Sequence, residues 1–306
     1  MVDIFRKIAF GYSTRCNIKC GHCLAADDGP KNEKMDLIRA KAIVSEMVFA
    51  RVKGISFTAG EPLLFLNDII ELLGVCKKNG IYSRVVTNGF WAKTPQRADE
   101  IVSELKAAGL SQLRISFSRW HQKHVDRENI VSAAQSSQKL GLDYFISFIT
   151  DFSKQDEPHE QYLRENRLRF FPEPVIYFGR AGDFNRPRVF TDYNANRCDM
   201  NPYLSPQLDM FTCCDAGARF DKTGFLYLGN LNDYSVESLF QKYETNRLYH
   251  AVKTVGLSPM ASSLGIPASE IVTYRKCELC EKLFNSKENL AGLQQSADST
   301  PSPWTR

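Results

Sequence analysis

The chain has 306 residues, 43% of them hydrophobic and 24% charged, with a net charge of +4. That length fits one large α/β domain or a domain with a smaller appendage, and the ordinary composition excludes a disordered or fibrous chain. No sustained run of Lys and Arg calls for a nucleic-acid partner, and no stretch approaches the ~20 apolar residues of a membrane span.

The opening MVDIFRKIAFGYS lacks the apolar segment of a signal peptide, which predicts a cytoplasmic chain. Short apolar runs then alternate with amphipathic ones. Strands are predicted over 7–13, 54–58, 82–88, 113–118, 143–149 and 174–178. Helices are predicted over 36–52, 66–79, 95–109 and 128–141, where apolar residues recur at three and four. Gly54, Gly80, Gly109 and Gly141 follow helices and suit left-handed caps, while Pro95 suits a first helical turn. The alternation predicts parallel βα units, about six in number. That is fewer than the eight of a closed barrel, and predicts a partial (βα)6 TIM barrel or an open sheet over 1–184. Past residue 185 the rhythm stops. Residues 185–285, with short strands, turns and five cysteines, read as a second module, and 286–306 as a flexible tail.

Nine cysteines in a cytosolic chain are a poor disulfide framework, because that compartment keeps thiols reduced. Clustering points to metal instead. Cys76 alone reads as a buried thiol. Cys16, Cys20 and Cys23 form CxxxCxxC directly after the first strand. Three thiolates on a 4Fe–4S cluster leave one iron open to a small molecule. Zinc on the same thiolates would recruit a fourth ligand, for which His22 is available.

This arrangement resembles the radical S-adenosylmethionine (SAM) superfamily over residues 7–180. CxxxCxxC carries an aromatic-type residue, His22, before its last cysteine. TAGEP resembles the segment that holds the methionine amino group, with Ala59 replacing a glycine beside Gly60 and Glu61. A methyl at Ala59 is tolerable unless the turn needs positive φ. Thr87 and Asn88 of TNG match positions lining the same pocket, and Ser116 and Ser118 fall where polar groups meet ribose or carboxylate. The resemblance implies SAM bound at the open iron and cleaved by one electron to a 5′-deoxyadenosyl radical. Electrons would come from an external donor of the flavodoxin or ferredoxin type.

Cys198, Cys213, Cys214, Cys277 and Cys280 remain. A closed second cluster takes four thiolates. CELC gives two and Cys198 a third, so the adjacent pair gives the fourth. Successive side chains on a strand face opposite ways. One thiol of the pair therefore faces the cluster, and the other lies about one residue away, ~4 Å along the backbone. That spare thiol is either buried filler or a reactive group.

The layout resembles the twitch or SPASM auxiliary-cluster extensions of enzymes that modify ribosomal peptides. ISFTAGE, TNGFW, a late WH, the CC doublet and CELCEKLFNS resemble the epipeptide epimerases most closely. The resemblance implies a precursor-peptide substrate, two 4Fe–4S clusters, Cys213 as ligand and Cys214 as hydrogen donor in an L-to-D inversion. A peptide crosslinker, a radical SAM enzyme on a nucleotide or sugar, and a non-catalytic iron–sulfur or zinc protein are the rival readings. His121 and His124 suit either surface or substrate contact. Asp199 and Asp209 read as turn residues, and Gly179 and Gly182 as a turn or a loop approaching a ligand.

Overall fold

Each of the first five strands is followed by a helix whose apolar stripe it needs. The computed structural model describes residues 6–24, 33–185, 196–215 and 222–299. In chain order these give β1 (Arg6–Gly11), α1 (Leu37–Phe49), β2 (Val52–Thr58), α2 (Leu66–Lys78), β3 (Tyr82–Thr87) and α3 (Pro95–Ala108). They continue with β4 (Gln112–Phe117), α4 (Arg127–Lys139), β5 (Asp143–Thr150), α5 (Glu157–Glu165) and β6 (Phe170–Pro174). The six strands pair in sequence order, all parallel. Alternation splits their side chains between two faces. Phe10, Phe57, Val85, Leu113, Ile115, Phe117 and Ile146 are fully buried in the core that includes Ile43, Leu72, Leu105 and Ile130 of the helices. Ser56, Arg84, Arg114, Ser116, Phe145 and Ser147 take the other, inner face.

Local chemistry sets several boundaries. Thr94 caps α3 by accepting from the Arg97 N–H, Pro95 sits in its first turn, and Gly109 ends it at φ +101°. Gly80 and Gly141 are also left-handed, as the sequence predicts. Gly54 is not: it lies inside β2, and α1 ends on Ala50, with Arg51 taking the positive φ. The sixth strand comes earlier than expected. Residues 175–178 leave the ladder after Val175 N–H donates to Thr150 O, and Val175 and Tyr177 bury against Trp120 and Ala181. An apolar run so buried carries no period that separates strand from loop. The sequence reading also missed α5, which buries only Leu163.

The second half extends the same sheet. β7 (Tyr203–Leu204) pairs parallel with β1, and β8 (Asp209–Phe211) and β9 (Tyr227–Asn230) follow antiparallel. Helices α6 (Val236–Thr245), α7 (Arg247–Thr254), α8 (Leu257–Ser263), α9 (Ala268–Ile271), α10 (Lys276–Asn285) and α11 (Lys287–Asp298) complete it. The expected flexible tail is therefore helical over its first turns: Ser286 caps α11, and Leu293 and Ala297 are buried. Residues 300–306 lie outside the described residues, and the expected boundary at 185 adjoins others that do.

Arg6 fastens the halves together. From β1 its guanidinium makes a two-pronged pair with Glu244 at 2.7 Å, donates to Ala50 O at 2.6 Å and pairs with Glu237. It also stacks 5.2 Å from the centre of the Phe240 ring. Removing one partner of a buried pair strands the other charges, which costs about 3–5 kcal/mol, and less where one partner is solvated as Glu237 is. Arg6→Ala should lower stability by about 2–3 kcal/mol, measured as the shift of the guanidinium denaturation midpoint, whereas Lys41→Ala at an exposed pair should change it little.

Candidate active site

The cysteine loop after β1 is held by donors from other strand ends. Arg15 O accepts the Glu61 N–H at 2.8 Å, Lys19 O is met by His124 Nε2 at 3.0 Å, and Cys20 O accepts Arg180 Nε–H at 2.7 Å. Cys23 O accepts the Arg180 N–H at 3.2 Å. Asn88 reaches over from the end of β3, donating to Asn17 Oδ1 at 2.9 Å with Cys16 Sγ 4.0 Å away. Two glycines make the approach possible. A Cβ on Gly60, at φ +56°, would lie 2.3 Å from Arg15 O, and one on Gly179, at φ +55°, would lie 2.6 Å from Cys23 O. Ala59 is also left-handed at φ +64°. Its turn does need positive φ, so the alanine carries a strain of about 1 kcal/mol that a glycine would not.

The loop brings its thiols together. Burial raises Cys20 to about 12, helped by the neighbouring Cys23 and Cys16 thiols, and burial also raises Cys16. Thiols gathered closely enough to raise Cys16 and Cys20 fit a cationic iron core, which holds cysteines as thiolates. His22 lies 5.0 Å from the Trp120 ring and 4.7 Å, edge-on, from His121. Burial lowers it to about 4, so the ring is neutral at pH 7, and its Nδ1 is buried with no hydrogen-bond partner among the described residues.

Two of the expected cofactor contacts are spent inside the protein. Glu61 is 1% exposed, and its carboxylate accepts from Thr87 Oγ1 (2.8 Å), Asn88 N–H (2.7 Å) and Leu63 N–H (3.1 Å). Thr87 in turn accepts from the Trp91 indole at 3.0 Å. Glu61 and Thr87 thus weld the ends of β2 and β3, and Asn88, itself buried, donates to Asn17 Oδ1 and accepts from the Phe90 N–H. Ser118 is fully buried and builds its own turn, lying 2.8 Å from His121 Nδ1 and accepting from the Trp120 and His121 N–H groups. Ser116 stays half-buried on the inner face.

The doublet expected on a strand lies past the end of β8 (Asp209–Phe211), so strand alternation does not set the directions of its two thiols. Cys277 and Cys280 lie three residues apart on α10, on one face of the helix. Burial raises Cys280, reinforced by Cys213 and then Cys198; burial raises Cys277, reinforced by Asp215, Cys280 and Cys198. Cys198 accepts the Met200 N–H at 3.4 Å. Cys214 goes the other way. It packs with Ala59 against Ala9, Tyr203 and Phe211 on the inner face, and burial, then Asp215, pushes its thiol up so that it stays protonated at pH 7. Among the described residues no three His, Cys, Asp or Glu side chains close around a single ion; within each set the thiols act on one another at longer range. Asp209 is buried against Tyr227, Asn230 and Lys222, and Asp199 pairs with Lys7 at the surface.

Residues 11–161 match the model of the radical SAM superfamily. The putative peptide biosynthesis protein YydG of Bacillus subtilis (strain 168) is 24% identical over 304 residues, covering 93% of this chain and 94% of that protein. A GTP 3',8-cyclase of Clostridium botulinum is 32% identical over 107 residues, 34% of this chain and about a third of the cyclase (32%). Among solved structures, anSMEcpe with bound AdoMet and Cp18Cys peptide shares the fold at a TM-score of 0.57 and 16% identity, over 82% of this chain and 83% of its own. BtrN in complex with AdoMet and 2-DOIA does so at 0.54 and 14%, over 85% and 91%. No helix among the described residues is long and apolar enough to cross a membrane.

Two outcomes follow from the loop's anchoring. Gly179→Ala forces a methyl against Cys23 O, so the anaerobically reconstituted variant should retain less iron through gel filtration than the parent chain. Burial raises Glu61 to about 7 from 4.5 despite its three donors. A carboxyl raised on folding adds stability below the unfolded value and loses it as pH climbs through the folded one. The difference in denaturation midpoint between the parent and Glu61→Gln should therefore change between about pH 4.5 and 7 and be flat above, with the parent losing ground as pH rises.

Proposed function

We propose that this chain, whose residues 11–161 constitute a radical SAM domain, is a peptide-modifying enzyme that inverts L-residues to their D-forms. The observation that carries the reading is the setting of the doublet: Cys213, with Cys198, acts on Cys280, while Cys214 packs on the inner wall against Ala9, Tyr203 and Phe211. Likeness to a putative peptide biosynthesis protein over nearly the full length supports a peptide substrate.

Cys16, Cys20 and Cys23 would hold the SAM-binding 4Fe–4S cluster, with Ala59, Gly60 and Asn88 bordering the methionine end and the neutral His22 ring facing the nucleoside. Bound there and given one electron, SAM supplies a carbon radical able to remove a Cα hydrogen. Everything else falls to this chain. The barrel presents the peptide with one Cα–H toward the loop after β1 and the opposite face toward Cys214. Once the hydrogen is gone the carbon is planar. Transfer of the Cys214 S–H hydrogen to the far face forms the inverted C–H bond and leaves a sulfur radical. One electron and one proton restore the thiol. Cys198, Cys213, Cys277 and Cys280 would hold a second 4Fe–4S cluster able to supply that electron, drawn in turn from a flavodoxin- or ferredoxin-type donor.

Reconstituted protein should bind about eight irons per chain, four for each cluster; zinc with no SAM cleavage overturns the reading. Turnover of a candidate precursor peptide, run in deuterated water, should place one solvent deuterium at the inverted Cα. A product lighter by two hydrogens means crosslinking instead. Cys214→Ala separates the half-reactions: 5′-deoxyadenosine forms and no D-residue does. A D-residue from that variant removes Cys214 as the donor.

A further inference from the structure

The inner face carries an ion pair that the inversion chemistry leaves unused. Arg114 of β4 donates through Nη2 to Ser147 Oγ of β5 at 2.9 Å and pairs with Glu173 of β6. Its guanidinium lies 5.7 Å from the centre of the Phe145 ring, and Arg84 of β3 approaches the same ring to 5.4 Å while donating to Gln112 Oε1. Register puts these residues on one face, since Arg114 stands opposite Val86 and Phe145, and Glu173 opposite Ile149. The pair is not sealed: the Arg114 and Glu173 side chains are 27% and 34% exposed. Yet Arg114 Nε is buried with no acceptor among the described residues. A buried donor on a charged group is costly to leave unmade. Arg114 is also close enough to Cys214 and Asp215 to act on both electrostatically.

Charge narrows what this site takes. Arg114 is answered by Glu173, and the Lys276 charge acts on Asp215. A phosphate-bearing substrate would need several unmatched cations here. What the pair offers is a donor beside an acceptor, the complement of a peptide C=O and N–H. We infer that Arg114 and Glu173 clamp a backbone peptide unit of the substrate, Arg114 donating to its carbonyl and Glu173 accepting its N–H, and so set which residue meets Cys214. This rests on the peptide-modifying reading. Arg114 is a positioning residue: it holds the substrate and exchanges no hydrogen.

The test uses the full-length reconstituted enzyme, with a synthetic peptide that the parent enzyme turns over, acetylated and amidated to remove its terminal charges, and GTP as anionic competitor. A hydrogen bond to a charged donor supports an increase of about tenfold or more in peptide Kd and KM for Arg114→Gln. Arg114→Lys, which keeps the charge without the fork, should recover part of this, and Glu173→Gln should raise Kd less. Altered choice of the inverted residue in these variants is a readout that general loss of stability does not give. Should Arg114→Gln fail to fold, the Lys and Glu173→Gln variants decide. Peptide Kd within about twofold of the parent in the folded variants overturns the clamp and leaves the peptide reading standing. A parent enzyme that binds GTP and ignores the peptide overturns both.

Discussion

The cysteine loop has no ladder or helix of its own, so every carbonyl it buries must be answered from elsewhere. That requirement organises the centre of the molecule. Arg15 O is met from the end of β2, Lys19 O from the turn after β4, and Cys20 O and Cys23 O from beyond β6. Three strand ends converge on one loop only because the sheet is parallel and curved, which aligns their C-terminal ends. Gly60 and Gly179 are where the convergence is tightest, and both are left-handed. Ala59, next to one of them, keeps its methyl in spite of the strain and packs it on the inner-wall cluster of Ala9, Tyr203 and Phe211.

The same economy accounts for the polar residues that turned inward. A fully buried carboxylate has to be saturated with donors, and Glu61 is, by Thr87, Asn88 and Leu63. Its position in TAGEP marks it as important; which groups it touches depends on β3, twenty-six residues on. Ser118 is a similar case, because its hydroxyl is taken by the turn that also buries Trp120 and His121.

The barrel and its motifs were legible because they rest on local signals: helical period, capping residues and cysteine spacing. Pairing across the chain left no such signal. His124 and Arg180 reach loop carbonyls 105 and 160 residues away, and neither carries a motif. Gly179 beside Arg180 at the end of a strand was the nearest hint. Gly54 misled because a glycine after a helix and a glycine opening a strand look alike in sequence. The sixth strand was placed late since Val175 and Tyr177 are as apolar as strand residues but bury against Trp120. The doublet lies past the end of β8, where strand alternation does not apply, and only the fold puts Cys214 against Tyr203 and Phe211.

β7 runs parallel to β1 and β8 antiparallel to β7, so the cysteine loop leaves the sheet at the C-terminal end of β1 while the chain after β8 heads toward the N-terminal end. A peptide that meets both the loop and the doublet therefore has to lie lengthwise along the inner face, following the strands instead of crossing their tips, and a segment that stays coiled in its precursor would span the face without following it.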